Sequence, residues 1–304
     1  GIAVTGELTT TGDALLNGVT VGRGAGAVST NTAVGYRAGY TNTTGASGTF
    51  VGMQAGYQLQ TGSNNTAVGL QALYGGNPTN SAGNNTALGY QAGFTVKGTA
   101  NNVFVGYRAG YLQENNGSNT VVGYQAGYSS AIGQQVTYVG SEAGYHQLGS
   151  YNTALGLKAM QGAVGSSAEF VTALGREAGY SLTTGSSGVF VGIRAGFSTT
   201  TAGSITAVGA DALRFNTTGT SNVAMGSKAL YSNTTAAINT AVGTEAAYSN
   251  TTGGQLVAIG YQAAYSNTTG ADNVAVGGYE TLFSNTTGGQ NIAIGRGALK
   301  SNTT

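Results

Sequence analysis

The side chains that could do chemistry in this chain are few, and their spacing decides what they could do. His146, in GYHQLGS, is its one imidazole, and nucleophilic catalysis of the Ser-His-Asp kind needs an imidazole held against its nucleophile. A single histidine in a loop that varies between repeats reads as a surface residue. Four carboxylates, Glu142, Glu177, Asp211 and Glu245, stand at equivalent places two repeats apart. If each repeat is one turn of a coil, their spacing is about 9 to 10 Å, near the upper end of that used by inverting glycosidases. Lys158, Arg194 and Lys228 lie between them, and a cation beside each carboxylate keeps it ionised and removes the proton donor. With no cysteine there is no thiolate nucleophile, zinc knuckle or disulfide frame. The cluster GRGAG at Gly22 to Gly26 lacks the helix and Lys-Ser/Thr of a phosphate loop. Asp13, Asp211 and Asp272 are isolated, unlike the ligands of a calcium loop. The chain therefore reads as non-enzymatic, with no catalytic residue, no metal site and no cofactor.

What remains to be positioned is a neutral, glycine-rich polymer. Charged residues are 7% of the 304, net charge is +1, glycine occurs 54 times and proline once, yet 40% of the chain is hydrophobic. That balance offers no basic field to nucleic acid or to an anionic membrane surface, and it is unlike both collagen and a disordered linker. No apolar run approaches the ~18 residues of a membrane span. The opening GIAVTGELTT lacks the basic and apolar regions of a signal peptide, so any export signal is expected outside this sequence.

A hydrophobic tetrad closed by glycine recurs from NTAVG at Asn31 to NIAIG at Asn291. Its 16 closing glycines, Gly35 to Gly295, define 15 intervals, of which 11 are 17 residues. A fixed period of this length marks a solenoid. We expect an all-β, parallel β-solenoid (a β-roll or β-helix) of about 17-residue coils. Residues 1–30 would form an N-terminal capping segment and residues 31–304 an array of 16 repeats about 80 Å long at the inter-strand spacing.

Counting each closing glycine as zero, position −1 is always aliphatic and −3 is always Thr, Val or Ile. Period-two alternation of branched residues marks a short strand. The alternation predicts that −1 residues such as Val208, Met225, Val242 and Ile259 form an interior column. Position −2 is mostly Ala but becomes Phe50, Phe104, Val121, Tyr138 and Phe190, so the other face is apolar too. Either its small Ala meets the far wall of its own coil, or the face lies against another subunit. On the second reading Phe50, Phe104, Tyr138 and Phe190 are candidate subunit-interface residues.

After the glycine, position +3 is Ala in 15 repeats, the exception being Glu280, where GGYETLF slips by one. Position +5 is aromatic in 12 repeats, including Tyr40, Tyr57, Tyr111, Tyr128, Tyr231, Tyr248 and Tyr265. These tyrosines are expected to form a stacked surface column and a candidate attachment surface. Asn at −4 in ten repeats, among them Asn31, Asn102, Asn222 and Asn291, predicts an amide ladder. At +2 the seven charges from Glu142 to Glu245 alternate in sign, as stacking of one coil per repeat requires, because neighbours about 4.8 Å apart repel if alike. The SNTTG segments at 249–253, 266–270 and 284–288 read as uncharged turns. Sequons at Asn42, Asn233 and Asn267 would matter only in a glycosylating secretory route.

NVAMG at 222, LVAIG at 256, NVAVG at 273 and NIAIG at 291 resemble the head repeats of trimeric autotransporter adhesins. The resemblance spans residues 31–304, and it implies a parallel β-roll, three subunits side by side and an extracellular appendage without enzymatic activity. The period of 17 is longer than in those heads. NGVTVGRGAGAVSTNTAVG at 17–35 resembles repeat-bearing structural proteins of tailed, particularly marine, phages. Taken together, these readings give a structural fibre protein, part of a phage tail fibre or similar virion appendage that displays an attachment surface. It would act outside the cell or on the virion. The expected partners are copies of itself, as a homotrimer or stacked head to tail through SNTT at 301–304 and GIAVTG at 1–6, and a cell-surface glycan or protein receptor. Nucleic acid and membrane insertion are not expected. The alternatives are a bacterial adhesin or surface filament and, further off, an ice-binding solenoid or a glycan-degrading spike.

Overall fold

The computed structural model describes residues 14–16, 19–26, 28–75, 81–112, 117–129 and 133–304. Residues 1–13, with the IAVTG motif of the head-to-tail junction and Asp13, lie outside the described residues. Two compact units divide the chain, Gly1–Ile132 and Gly133–Thr304. Both are parallel β-solenoids with coils about 17 residues apart, and no helix occurs among the described residues.

In the first unit an antiparallel pair, β1 (Ala14–Leu16) and β2 (Val19–Gly22), precedes the coils, and β2 lies antiparallel to β3 (Thr32–Val34). From there β3 to β8 (Thr49–Val51, Thr66–Val68, Thr86–Leu88, Val103–Val105 and Thr120–Val122 after β3) stack in parallel, tetrad on tetrad. Second-unit strands β9 (Thr137–Val139), β10 (Thr153–Leu155), β11 (Thr172–Leu174), β12 (Val189–Val191), β13 (Thr206–Val208) and β14 (Val223–Met225) repeat the arrangement. It continues through β15 (Thr240–Val242), β16 (Val257–Tyr261), β17 (Val274–Tyr279) and β18 (Ile292–Ile294). Where the interval is 20, 16, 19 or 18 residues the strands still pair tetrad on tetrad, so length differences are absorbed in the loops. The slip at GGYETLF is a register shift between Ile259 and Tyr261, which pairs with Tyr279. Thr281 then fills the place of the missing Ala, buried, its hydroxyl donating to the Gly295 carbonyl.

The closing glycine makes the short coil possible. From Gly35 to Gly243 its φ is 124 to 137°, a region open only to glycine. A Cβ on Gly140 would also sit 2.4 Å from the carbonyl oxygen of Gly156. The column is thus fixed twice, by dihedral angle and by backbone packed on backbone.

The strand faces are the reverse of the alternation reading. Position −2 points inward: Ala33, Ala67, Ala224 and their equivalents are buried. Position −1 points outward, with Met225 44% and Ile259 39% exposed. Phe50, Phe104, Tyr138 and Phe190 are each 0% exposed inside their own coils, so they form no subunit contact. Assigning the inside to the more hydrophobic column fails because a 17-residue coil is too thin for it. Its two walls are close enough that Ala and Gly fill most of the interior.

In the interior, positions −2 and +4 of one coil are never both large. Wherever −2 is large, as in Phe50, Phe104, Val121, Tyr138 and Phe190, position +4 is glycine (Gly56, Gly110, Gly127, Gly144, Gly196). Wherever +4 is large, as in Leu73, Met160, Leu213 and Leu230, position −2 is Ala, and these +4 side chains are fully buried. A Cβ on Gly56 would lie 2.3 Å from the Phe50 ring, and one on Gly196 2.2 Å from Phe190. The two positions share one space.

Candidate functional site

Each coil presents the same side chains at the same place, so the surface is a set of columns. At +5 the aromatic column forms as expected. Tyr40, Tyr57, Tyr74, Phe94, Tyr111 and Tyr128 stack with ring centroids 5.0 to 5.3 Å apart and planes within 13°. Tyr231, Tyr248, Tyr265 and Phe283 do so at 4.9 to 5.2 Å. Ring faces are covered by neighbouring rings, so the column offers its edges and hydroxyls outward, and no flat ligand can lie on the faces within it. A second column at +1, Tyr90, Tyr107 and Tyr124, escaped the sequence reading although its spacing is the same. Between the two, Gln54, Gln71, Gln91 and Arg108 form a hydrogen-bonded ladder of 2.8 to 2.9 Å contacts. The Arg108 guanidinium lies 5.3 Å from the Tyr107 ring centroid and 5.2 Å from that of Tyr111.

In the second unit the +2 column carries the charges. Lys158 Nζ lies 3.7 Å from Glu142, which also accepts a 2.6 Å hydrogen bond from Gln161. Arg194 donates Nη2 to Asp211 Oδ2 at 3.0 Å, its Nε lies 3.0 Å from Oδ1 as an ion-pair contact, and Arg214 approaches the same carboxylate to 3.5 Å. Glu177 pairs with Arg176, and Glu245 accepts from Gln262 at 2.8 Å. The four carboxylates considered for glycoside chemistry are thus each engaged by a donor. His146 meets Tyr145 edge-on at 4.5 Å, and burial holds its pKa below the usual imidazole value. Among the described residues, no group of three His, Cys, Asp or Glu side chains is placed to hold a metal.

The amide ladder at −4 runs inside the coil. Asn65 Oδ1 accepts the backbone N–H of Asn85, Asn85 that of Asn102, and Asn102 that of Asn119, at 2.9 to 3.0 Å. Asn222 and Asn239 repeat the pattern in the second unit. A further ladder lies in the NTT segments. Asn233, Asn250, Asn267 and Asn285 are buried, each donating Nδ2 to the Asn one coil before at 2.8 to 3.2 Å. The sequons at Asn42, Asn233 and Asn267 therefore place their amide nitrogens in the interior. The following Thr hydroxyls, from Thr183 to Thr286, donate to the carbonyl of the equivalent Thr in the next coil at 2.9 to 3.2 Å. Thr184, Thr201, Thr218, Thr235, Thr252, Thr269 and Thr287 stand exposed beside them.

The outer strand face is the remaining feature. Positions −3 and −1 hold no charged residue in any repeat, and they leave Val68, Leu88, Val103, Leu155, Met225 and Ile259 exposed. Compared with known protein families, curated proteins and solved structures, the chain matches none.

Proposed function

We propose that this chain is a structural fibre protein that works as a bundle of parallel copies joined through the −3 and −1 strand face. The exposed, uncharged face of a parallel sheet, aliphatic at every −1 and Thr, Val or Ile at −3, carries this reading. Parallel sheets are ordinarily covered on both sides, and long exposed apolar patches mark association surfaces. In the second unit ten strands at about 4.8 Å, each presenting roughly 13 Å of chain, give about 620 Å² per copy, or about 1,250 Å² for a pair. That reaches the size of a specific interface. A partner must match a ridge every coil, and a copy of the same chain in register does so along the whole face.

Three copies is the stoichiometry that the adhesin-head resemblance implies. On the two resemblances, the bundle is read as a segment of a virion or cell-surface appendage. It displays the tyrosine edges and threonine hydroxyls of its other faces to a glycan or protein receptor. Light scattering on the purified chain tests the assembly: a mass near three times 30.1 kDa is expected, and a monomer at micromolar concentration overturns the proposal.

A further inference from the structure

The tyrosine columns hold phenols in an arrangement that packing alone does not require. Phe94, Phe197 and Phe283 take places in the +5 column with the same stacking geometry, so the ring suffices for the stack. What the hydroxyl adds is hydration and a phenol that can give up one electron and one proton. Tyr40, Tyr57 and Tyr74 follow one another at 5.3 and 5.0 Å with planes 6° apart. Tyr231, Tyr248 and Tyr265 do the same at 4.9 and 5.0 Å. All six keep part of their surface in solvent, so an oxidant can reach the ring edges.

We propose that these columns are sites of oxidative dityrosine cross-linking between successive coils of one chain, with hydrogen peroxide and a haem peroxidase as the oxidant. Each of two neighbouring phenols loses one electron and its hydroxyl proton. The resulting phenoxyl radicals form one carbon–carbon bond between ring carbons ortho to the oxygens. The ortho hydrogens at the new bond pass to the phenolic oxygens as the rings regain aromaticity, and the two electrons and two protons removed reduce peroxide to two waters. Stacking replaces a chance encounter of two radicals by a held pair, which raises their effective concentration. The product staples residues 17 apart and locks the coil register.

The structure also supplies internal controls. Phe94 separates Tyr74 from Tyr111, so no bond should join those two. Tyr138 is fully buried and should not react.

The test unfolds equal amounts of 14N- and 15N-labelled chain together and refolds them so that every assembly draws on both isotopes, treats the product with peroxidase and peroxide, digests it and maps dityrosine by mass spectrometry. N-acetyltyrosine amide in a parallel tube reports that the oxidant works. Tyr40–Tyr57, Tyr57–Tyr74, Tyr231–Tyr248 and Tyr248–Tyr265 links within single-isotope chains are expected, with a raised melting temperature. Tyr57→Phe, which keeps the stack, should abolish the first two links and leave the last two. Column links of which about half are mixed-isotope pairs, links that ignore the columns, or no dityrosine while the free amide couples would each overturn the proposal.

Discussion

At Phe50 a benzyl group occupies a place where most coils have a methyl, and the space comes from Gly56, whose Cβ would lie 2.3 Å from the ring. Phe50→Ala should cost about 3 to 5 kcal/mol through the cavity it leaves, and Gly56→Leu should be at least as damaging through overpacking. Together they recreate the Ala–Leu arrangement of Ala67 with Leu73, so the double variant should recover most of the loss. Denaturant titration of the cycle should give a coupling well above 1 kcal/mol; additive losses would show that the positions do not share one space. This exchange was legible in the sequence, because every large −2 residue has a glycine six positions later. Hydrophobicity hid it, by ranking Val above Ala and so placing −1 inside. Tyr138 adds a pH effect. Burial pushes its phenol well above the usual tyrosine range, whereas an unfolded chain ionises near 10. The stability tied to this proton is complete below about pH 10 and falls as pH rises beyond it, by up to about 1.4 kcal/mol per pH unit. Tyr138→Phe, a ring that three other coils accommodate, should melt less steeply than wild type between pH 9 and 11 in a thermal series.

At the scale of the element, the unit of structure is the coil, and the period alone located its strand, its closing glycine and its aromatic column. The NTT segments were less legible. Asn and Thr favour turns, and nothing in SNTTG distinguishes a hydrated turn from one whose Asn enters the interior and joins a ladder. The signal was recurrence at a fixed offset, since a solvated turn has no need of Asn in the same place at 233, 250, 267 and 285. Asn250 donates to Asn233 and to Gly253 and accepts from Asn267. Asn267 Nδ2 would keep its bond to the Gly270 carbonyl, but Asn250→Ala should take the Asn250 donor from two acceptors, Asn233 Oδ1 and the Gly253 carbonyl, at about 1 to 3 kcal/mol. Because coils interact with their neighbours, removing one whole coil should cost far less than breaking one. Deleting residues 233–249 joins Ser232 to Asn250 and keeps every column. The shortened chain should melt cooperatively within a few degrees of wild type by circular dichroism. Deleting residues 233–240 instead leaves nine residues where a coil needs about 17, and should abolish the transition. Equal effects from the two deletions would contradict coil-wise folding.

For the whole molecule, the decisive question is what covers the outer strand face. Two adjacent residues of one strand ask it. Ala224 is 0% exposed and Met225 is 44% exposed, so a carboxylate at either has the same sequence context and opposite surroundings. Ala224→Asp places a charge in the interior with no cation facing it, which should cost several kcal/mol and unfold the adjacent coils. Met225→Asp leaves the interior untouched, so the isolated chain should keep its sheet signal. Its effect should fall on assembly instead, because parallel copies in register bring these carboxylates together on an otherwise uncharged face, where neither attraction nor water compensates them. Light scattering and circular dichroism on the same samples separate the two losses: Ala224→Asp loses the fold, and Met225→Asp loses the higher mass while keeping the fold. If Met225→Asp left the mass of the assembly unchanged, copies would not meet through this face, and the fibre would have to be held by one of the columns on the other sides of the coil.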